Sequence, residues 1–148
     1  CFSTMGATIT HIGVRNGDGQ VCKVANQIMV GMMTQAVAEG LLYASKAGAD
    51  AGKVREALMG GAANSIILEN HGKRMLERNF TESFRVELQQ KDLGLAVEAS
   101  RELGMMLPGA TMAWQLYNAC RAAGDEKNDS ISILKVLEQM AGHELKGS

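Results

Sequence analysis

The residues with the clearest chemical potential lie in one short segment, GDGQVCKVANQ at positions 17–27. Lys23 stands there among Val21, Cys22, Val24 and Ala25, with Gln20, Asn26 and Gln27 three or four residues away. In a helix those spacings put an amine and several amides on one face. Such a face can hold a polar ligand. An amine can exchange a proton with a hydroxyl or carbonyl oxygen, while an amide orients that oxygen or a carboxylate. A buried ammonium without a partner is costly, so Lys23 needs one if it is enclosed. Spacing alone does not separate this arrangement from a solvated lysine, the commoner fate of Lys on a helix. Gly17 and Gly19 are a weaker signal, because a dinucleotide fingerprint needs a third glycine in a strand–turn–helix setting.

Other chemistries find little support. Cys1, Cys22 and Cys120 are odd in number, widely spaced and without a CxxC pair, which speaks against a disulfide framework or zinc site and for a reducing compartment. His11, His71 and His143 are equally scattered, so no metal is expected, and neither His71 nor His143 is assigned a catalytic role. Fifteen Lys and Arg against sixteen Asp and Glu give a formal charge of −1 and no basic field, which argues against nucleic acid as a partner. The apolar runs fall short of the roughly 18 residues that span a bilayer, so no membrane partner is expected either. The opening residues lack a secretory pattern, and with the free cysteines this points to a cytoplasmic location.

The elements that would position Lys23 can be read from the periodicity. One hundred and forty-eight residues suit one domain, and ten Met, a single Pro and only 4% aromatic residues suit helices. Gly48, Gly60, Gly104 and Gly124 fall at the ends of periodic segments, as left-handed helix caps do. A proline-free run over 20–47 predicts a helix roughly 40 Å long, with Val21, Val24, Ile28, Met32, Ala36 and Leu42 as its apolar stripe. Asp50 caps a helix to Met59, and Asn64 or Ser65 caps one reaching about Glu77. A connector over 80–84 precedes a helix over 85–103, in which Leu88, Leu95 and Val97 carry the period. Pro108 opens another helix to Ala123, and Ser130 caps the last, with Ile133, Leu134, Leu137 and Met140 inward. Six helices follow one short strand over 7–13, whose sheet partner is not evident. That lone strand, and Cys1 in first place, are expected of a piece of a longer chain, with a boundary near 15–19.

Several residues have a plainer reading beside the functional one. Met32, Met33, Met105, Met106 and Met112 are expected as core filler. Trp114 and Tyr117, three residues apart, would anchor a subunit contact or pack within the last helices. The long first helix could itself serve a partner subunit, so a helical oligomerisation module is the non-enzymatic alternative.

The segment GDGQVCKVANQ resembles the signature that opens the helical C-terminal domain of the 3-hydroxyisobutyrate dehydrogenase, or β-hydroxyacid dehydrogenase, family. Arg78-Asn-Phe, Phe84-Arg-Val-Glu-Leu and Lys91-Asp-Leu are similar to its downstream pattern, and Gly60-Gly61 with the six-helix layout extends the likeness from about Met5 to the end. Within the family, the RNF and FRV-type sequence most resembles the 2-hydroxy-3-oxopropionate (tartronate semialdehyde) reductase branch, with 3-hydroxyisobutyrate dehydrogenase the alternative.

The resemblance implies an all-α C-terminal domain of the 6-phosphogluconate dehydrogenase type over 17–148. Residues 1–16 would then be the final strand and connector of a dinucleotide-binding Rossmann domain that these 148 residues do not include. It implies NAD or NADP as cofactor, bound mainly by that domain, a short hydroxy acid or semialdehyde as substrate, and a homo-oligomer. Lys23 would be the general acid and base, Asn26 and Gln27 the substrate amides, and Lys91 the residue that closes on the cofactor. Phe84 is a weaker candidate for the pocket wall and otherwise a core residue. Related enzymes place an Asn where Gln27 stands, which leaves open which amide has the main substrate role.

Overall fold

The computed structural model describes residues 9–81 and 83–146 of the chain. Among these residues six α-helices occur in the order α1 (Asp18–Lys46), α2 (Ala51–Met59), α3 (Ile66–Leu76), α4 (Val86–Glu102), α5 (Pro108–Ala122) and α6 (Ile133–Ala141). The 29-residue α1 runs about 43 Å and is the spine against which all the other helices pack. Among the described residues no helix is long and apolar enough to cross a membrane.

The helix ends follow the side chains at them. The Asp50 side chain accepts from Lys53 N at 3.0 Å, and Ser65 Oγ accepts from Leu68 N at 3.0 Å, so Ser65 rather than Asn64 caps α3. Pro108 occupies the first turn of α5, where a missing N–H costs nothing. Gly48, Gly104 and Gly124 take positive φ just past their helices, but Gly60 does not: its φ is −83° and its turn closes without a left-handed residue. Ser130 does not cap α6 directly. It opens a 3₁₀ turn, Ser130–Ser132, which is led by Asp129 accepting from Ile131 N at 3.1 Å.

Two further expectations are corrected. Ile9–Gly13 form no strand, while Ala7 and Thr8 lie outside the described residues; a strand needs a neighbour for its N–H and C=O groups, and the described residues contain none. The five methionines expected as core filler do not fill the core: Met32, Met105, Met106 and Met112 are exposed and Met33 half-buried, because the elements carrying them turn other residues inward. Tyr117, by contrast, is fully buried and Trp114 packs against the same core, so this pair belongs to the interior of the bundle. The core joins Leu41 and Leu42 of α1 to Met75, Leu93, Tyr117, Ile133 and Leu134.

The face that α1 buries differs from its predicted stripe. Gln27, Gly31, Thr34, Ala38 and Leu41 point inward, whereas Val21 is 67% exposed and Ala36 is exposed. Close packing explains the shift. At Gly31 an added Cβ would lie 2.9 Å from Gln89 Nε2 and 3.0 Å from Leu93 Cδ1, so α4 crosses α1 where the helix surface is lowest. Small and polar residues thus take the inward positions. Leu95 and Met140, predicted inward, are exposed for the same kind of reason: each helix rotates to suit its neighbours.

Candidate functional site

Lys23 lies in the second turn of α1 on its solvent side, and its neighbours are set by that helix and by α4. Its Nζ donates to Gln27 Oε1 at 2.8 Å, one helical turn on. Asn26 Nδ2 donates to the same oxygen at 2.9 Å. Gln27 Nε2 donates in turn to Asp92 Oδ2 of α4 at 2.8 Å. The other oxygen of Asp92 lies 3.8 Å from Lys91 Nζ. One continuous polar row therefore reads Lys23, Gln27, Asp92, Lys91, with Asn26 joined at Gln27.

The two amides are not equivalent. Gln27 is only 5% exposed, and both ends of its side-chain amide are engaged by protein groups. Asn26 is exposed, and its Oδ1 accepts no hydrogen bond among the described residues, which makes it the amide a ligand can reach. The Lys23 ammonium has three N–H donors and spends one on Gln27, so two remain. Lys91 is 63% exposed, with Asp92 as its ion-pair partner.

The backbone beneath this row is held firmly. Gln89 is buried on α4, and its Nε2 donates to the main-chain oxygen of Gln27 at 3.3 Å. Gly31, one turn beyond Gln27, leaves the space that this side chain occupies. Asp92 follows Gln89 by three residues, so fixing one side chain on α1 brings the other opposite the Gln27 amide.

Phe84 does not join the row. It is half-buried in the connector, where its main-chain N–H donates to Asp129 Oδ2 at 3.0 Å and its oxygen accepts from Ser130 N at 2.8 Å. The RNF residues also have structural work. Arg78 forms an ion pair with Glu138 and another with Glu144 at 3.2 Å, while the Phe80 ring lies under the cations of Arg78 and Lys135 at 5.1 and 4.7 Å. Asp92 and Gln89 are the members of the site that spacing within α1 could not find. Asp92 is adjacent to Lys91 in sequence, but only the crossing of α4 over α1 puts it beside Gln27.

No group of three His, Cys, Asp or Glu side chains among the described residues is placed to hold a metal ion. The site is instead an ammonium and an amide open to solvent, backed by a buried amide and a carboxylate. Such a set can bind an oxygen of a small polar substrate and move a proton to or from it.

The chain has clear relatives. A family model described as "NAD-binding of NADP-dependent 3-hydroxyisobutyrate dehydrogenase" matches residues 17–137. The 2-hydroxy-3-oxopropionate reductase of Escherichia coli (strain K12) is 49% identical over 97% of this chain and 49% of its own length. The 2-(hydroxymethyl)glutarate dehydrogenase of Eubacterium barkeri is 33% identical over 99% of this chain and 48% of its own. Among solved structures, a 3-hydroxyisobutyrate dehydrogenase from Salmonella typhimurium superposes with a TM-score of 0.83 at 26% identity, over 87% of this chain and 45% of that one. The chain thus spans about half the length of the proteins it matches.

Proposed function

This chain belongs to the 3-hydroxyisobutyrate dehydrogenase family, and on that premise we propose that it is the helical, substrate-side domain of an NAD(P)-dependent reductase. The reaction we assign is the reversible reduction of 2-hydroxy-3-oxopropanoate to glycerate. The observation that carries the reading is the Lys23 ammonium, held by Gln27 at 2.8 Å on the open side of α1 with Asn26 beside it. The likeness to the Escherichia coli reductase supports the choice of substrate.

The donor set fits a nicotinamide dinucleotide. Lys91 presents an exposed cation suited to a phosphate or ribose oxygen, and Asp92 Oδ1, on the carboxylate that also meets Gln27, lies 3.8 Å from it. When bound, the nicotinamide supplies the hydride. Lys23 donates a proton to the carbonyl oxygen as that oxygen gains negative charge, and recovers it when a hydroxy acid is oxidised. Asn26 orients the substrate through its exposed amide. Gln27 holds the Lys23 ammonium in place, so the atom that must meet the oxygen is positioned before substrate arrives. The exposed apolar residues Val21, Met29 and Tyr43 along α1 support self-association, which sedimentation mass would test.

In the full-length protein, Lys23→Ala is expected to lower kcat by about 10²–10⁴-fold, the usual range for a lost general acid, while NAD(P)H binding is retained. Unchanged turnover would remove Lys23 from the reaction. The second reading, a 3-hydroxyisobutyrate dehydrogenase, is favoured by the names of the family model and of the solved structure. Comparing kcat/KM for tartronate semialdehyde with that for methylmalonate semialdehyde separates the two.

A further inference from the structure

Gln27 has a carbonyl on one side of its terminal amide and an NH₂ on the other, and its surroundings allow only one orientation. Lys23 and Asn26 both approach Oε1 as donors, at 2.8 and 2.9 Å. Asp92 approaches from the opposite side, and an ionised carboxylate can only accept, so Nε2 must face it, as it does at 2.8 Å. The reversed amide would set its NH₂ against the Lys23 ammonium, which can only donate, and its oxygen against a carboxylate. Because Gln27 is 5% exposed, water does not relieve such a mismatch. The Gln89 bond to the Gln27 main-chain oxygen and the space left by Gly31 hold α4 at the crossing that makes this contact.

We propose that Asp92 is a positioning residue: it fixes the orientation of the Gln27 amide and, through that amide, the place of the Lys23 ammonium. The inference rests on the reading of Lys23 as the proton donor. Asp92 acts two hydrogen bonds away from the Lys23 ammonium, and so three from the reacting oxygen, and it touches no substrate. Its second oxygen, 3.8 Å from Lys91, ties the same carboxylate to the residue assigned to the cofactor.

The test exchanges donor and acceptor across the bond without changing side-chain size. Gln27→Glu sets two carboxylates against each other and is expected to lower kcat by about 10- to 100-fold, the scale of a catalytic group displaced by about 1 Å, with KM changed far less. Asp92→Asn keeps an acceptor for Gln27 Nε2 and is expected to lose about threefold or less. The double variant Gln27→Glu with Asp92→Asn re-forms the bond in reverse, Asn donating to Glu, and is expected to regain most of the loss. All are assayed in the full-length protein with tartronate semialdehyde and NADH or NADPH, beside Lys23→Ala. A double variant no better than Gln27→Glu alone overturns the role of Asp92. A Lys23→Ala protein with normal turnover overturns the reading of Lys23 instead, and the two failures are therefore distinct.

Discussion

Gly31 on α1 faces Gln89 on α4 so closely that a Cβ on Gly31 would lie 2.9 Å from Gln89 Nε2. Gln89 is buried and bonded to the Gln27 oxygen, and Leu93 Cδ1 stands at 3.0 Å on the same side, so neither neighbour has room to yield. Gly40 lies on the same helix with nothing within 4 Å of a Cβ. Gly31→Val is therefore expected to destabilise the protein by about 1–3 kcal/mol through overpacking, whereas Gly40→Ala stabilises it by about 0.5–1 kcal/mol through helix propensity. Urea unfolding of the two variants checks this, and shifts of the same sign would contradict the packing described for α1.

Asp129 holds the connector in front of α4. It is almost fully buried, accepts from the main-chain N–H groups of Ser83, Phe84 and Ile131 at 3.1, 3.0 and 3.1 Å, and pairs with Arg74 at 3.2 Å. Asp129→Ala strands three donors and a cation, and is expected to cost about 3–5 kcal/mol. Asp129→Asn, which keeps one oxygen acceptor, should cost clearly less. Equal losses in thermal unfolding would show that the carboxylate is not what secures the connector.

His71 gives the fold a pH dependence with a definite sign. Burial lowers the His71 pKa, partly offset by the Asp129 charge, and Nδ1 lies 3.2 Å from Thr34 Oγ1, whose own proton goes to the Val30 oxygen at 2.8 Å. The unfolded chain then takes up a proton at a higher pH than the folded one. Above the ordinary histidine pKa of about 6.5 both states are neutral and His71 contributes no pH dependence. As pH falls below that value, stability is lost progressively until the folded-state pKa is passed. His71→Gln should flatten the unfolding midpoint between pH 7 and pH 5; an unaltered slope would assign the dependence to other groups.

The two cysteines among the described residues should react very differently. Cys120 is buried, and burial pushes its thiol up to about 12, so it carries almost no thiolate near neutrality. Cys22 is exposed on α1. Iodoacetamide with mass mapping is expected to label Cys22 in the native protein and Cys120 only after unfolding. Labelling of Cys120 without loss of structure would reveal an opening of the α5 face.

The site was partly legible before the fold was known. The spacing of Lys23, Asn26 and Gln27 placed them within one turn, because a helix makes residues three and four apart neighbours whatever surrounds it. Lys91 could be placed on a helix but not beside them, since nothing local states which helix crosses which. Gln89 carried no signal as a site member, and Asp92 stood out only as part of Lys91-Asp-Leu, with nothing to place it beside Gln27, for the same reason. The predicted stripe of α1 failed at Val21 and Ala36 because hydrophobicity records what tends to be buried, whereas the helix crossing at Gly31 selects what fits.

The amino-acid sequence by itself determined the six helices and most of their ends, since caps such as Asp50, Ser65 and Pro108 act through bonds and dihedral limits within a few residues. The tertiary structure alone decided that Gln27 turns inward and Asn26 outward, and that Asp92 sets the orientation of the amide between them and Lys23. Those outcomes depend on the contact between α1 and α4, which joins residues 65 positions apart through close packing and a buried hydrogen bond. No interaction local to either helix encodes it.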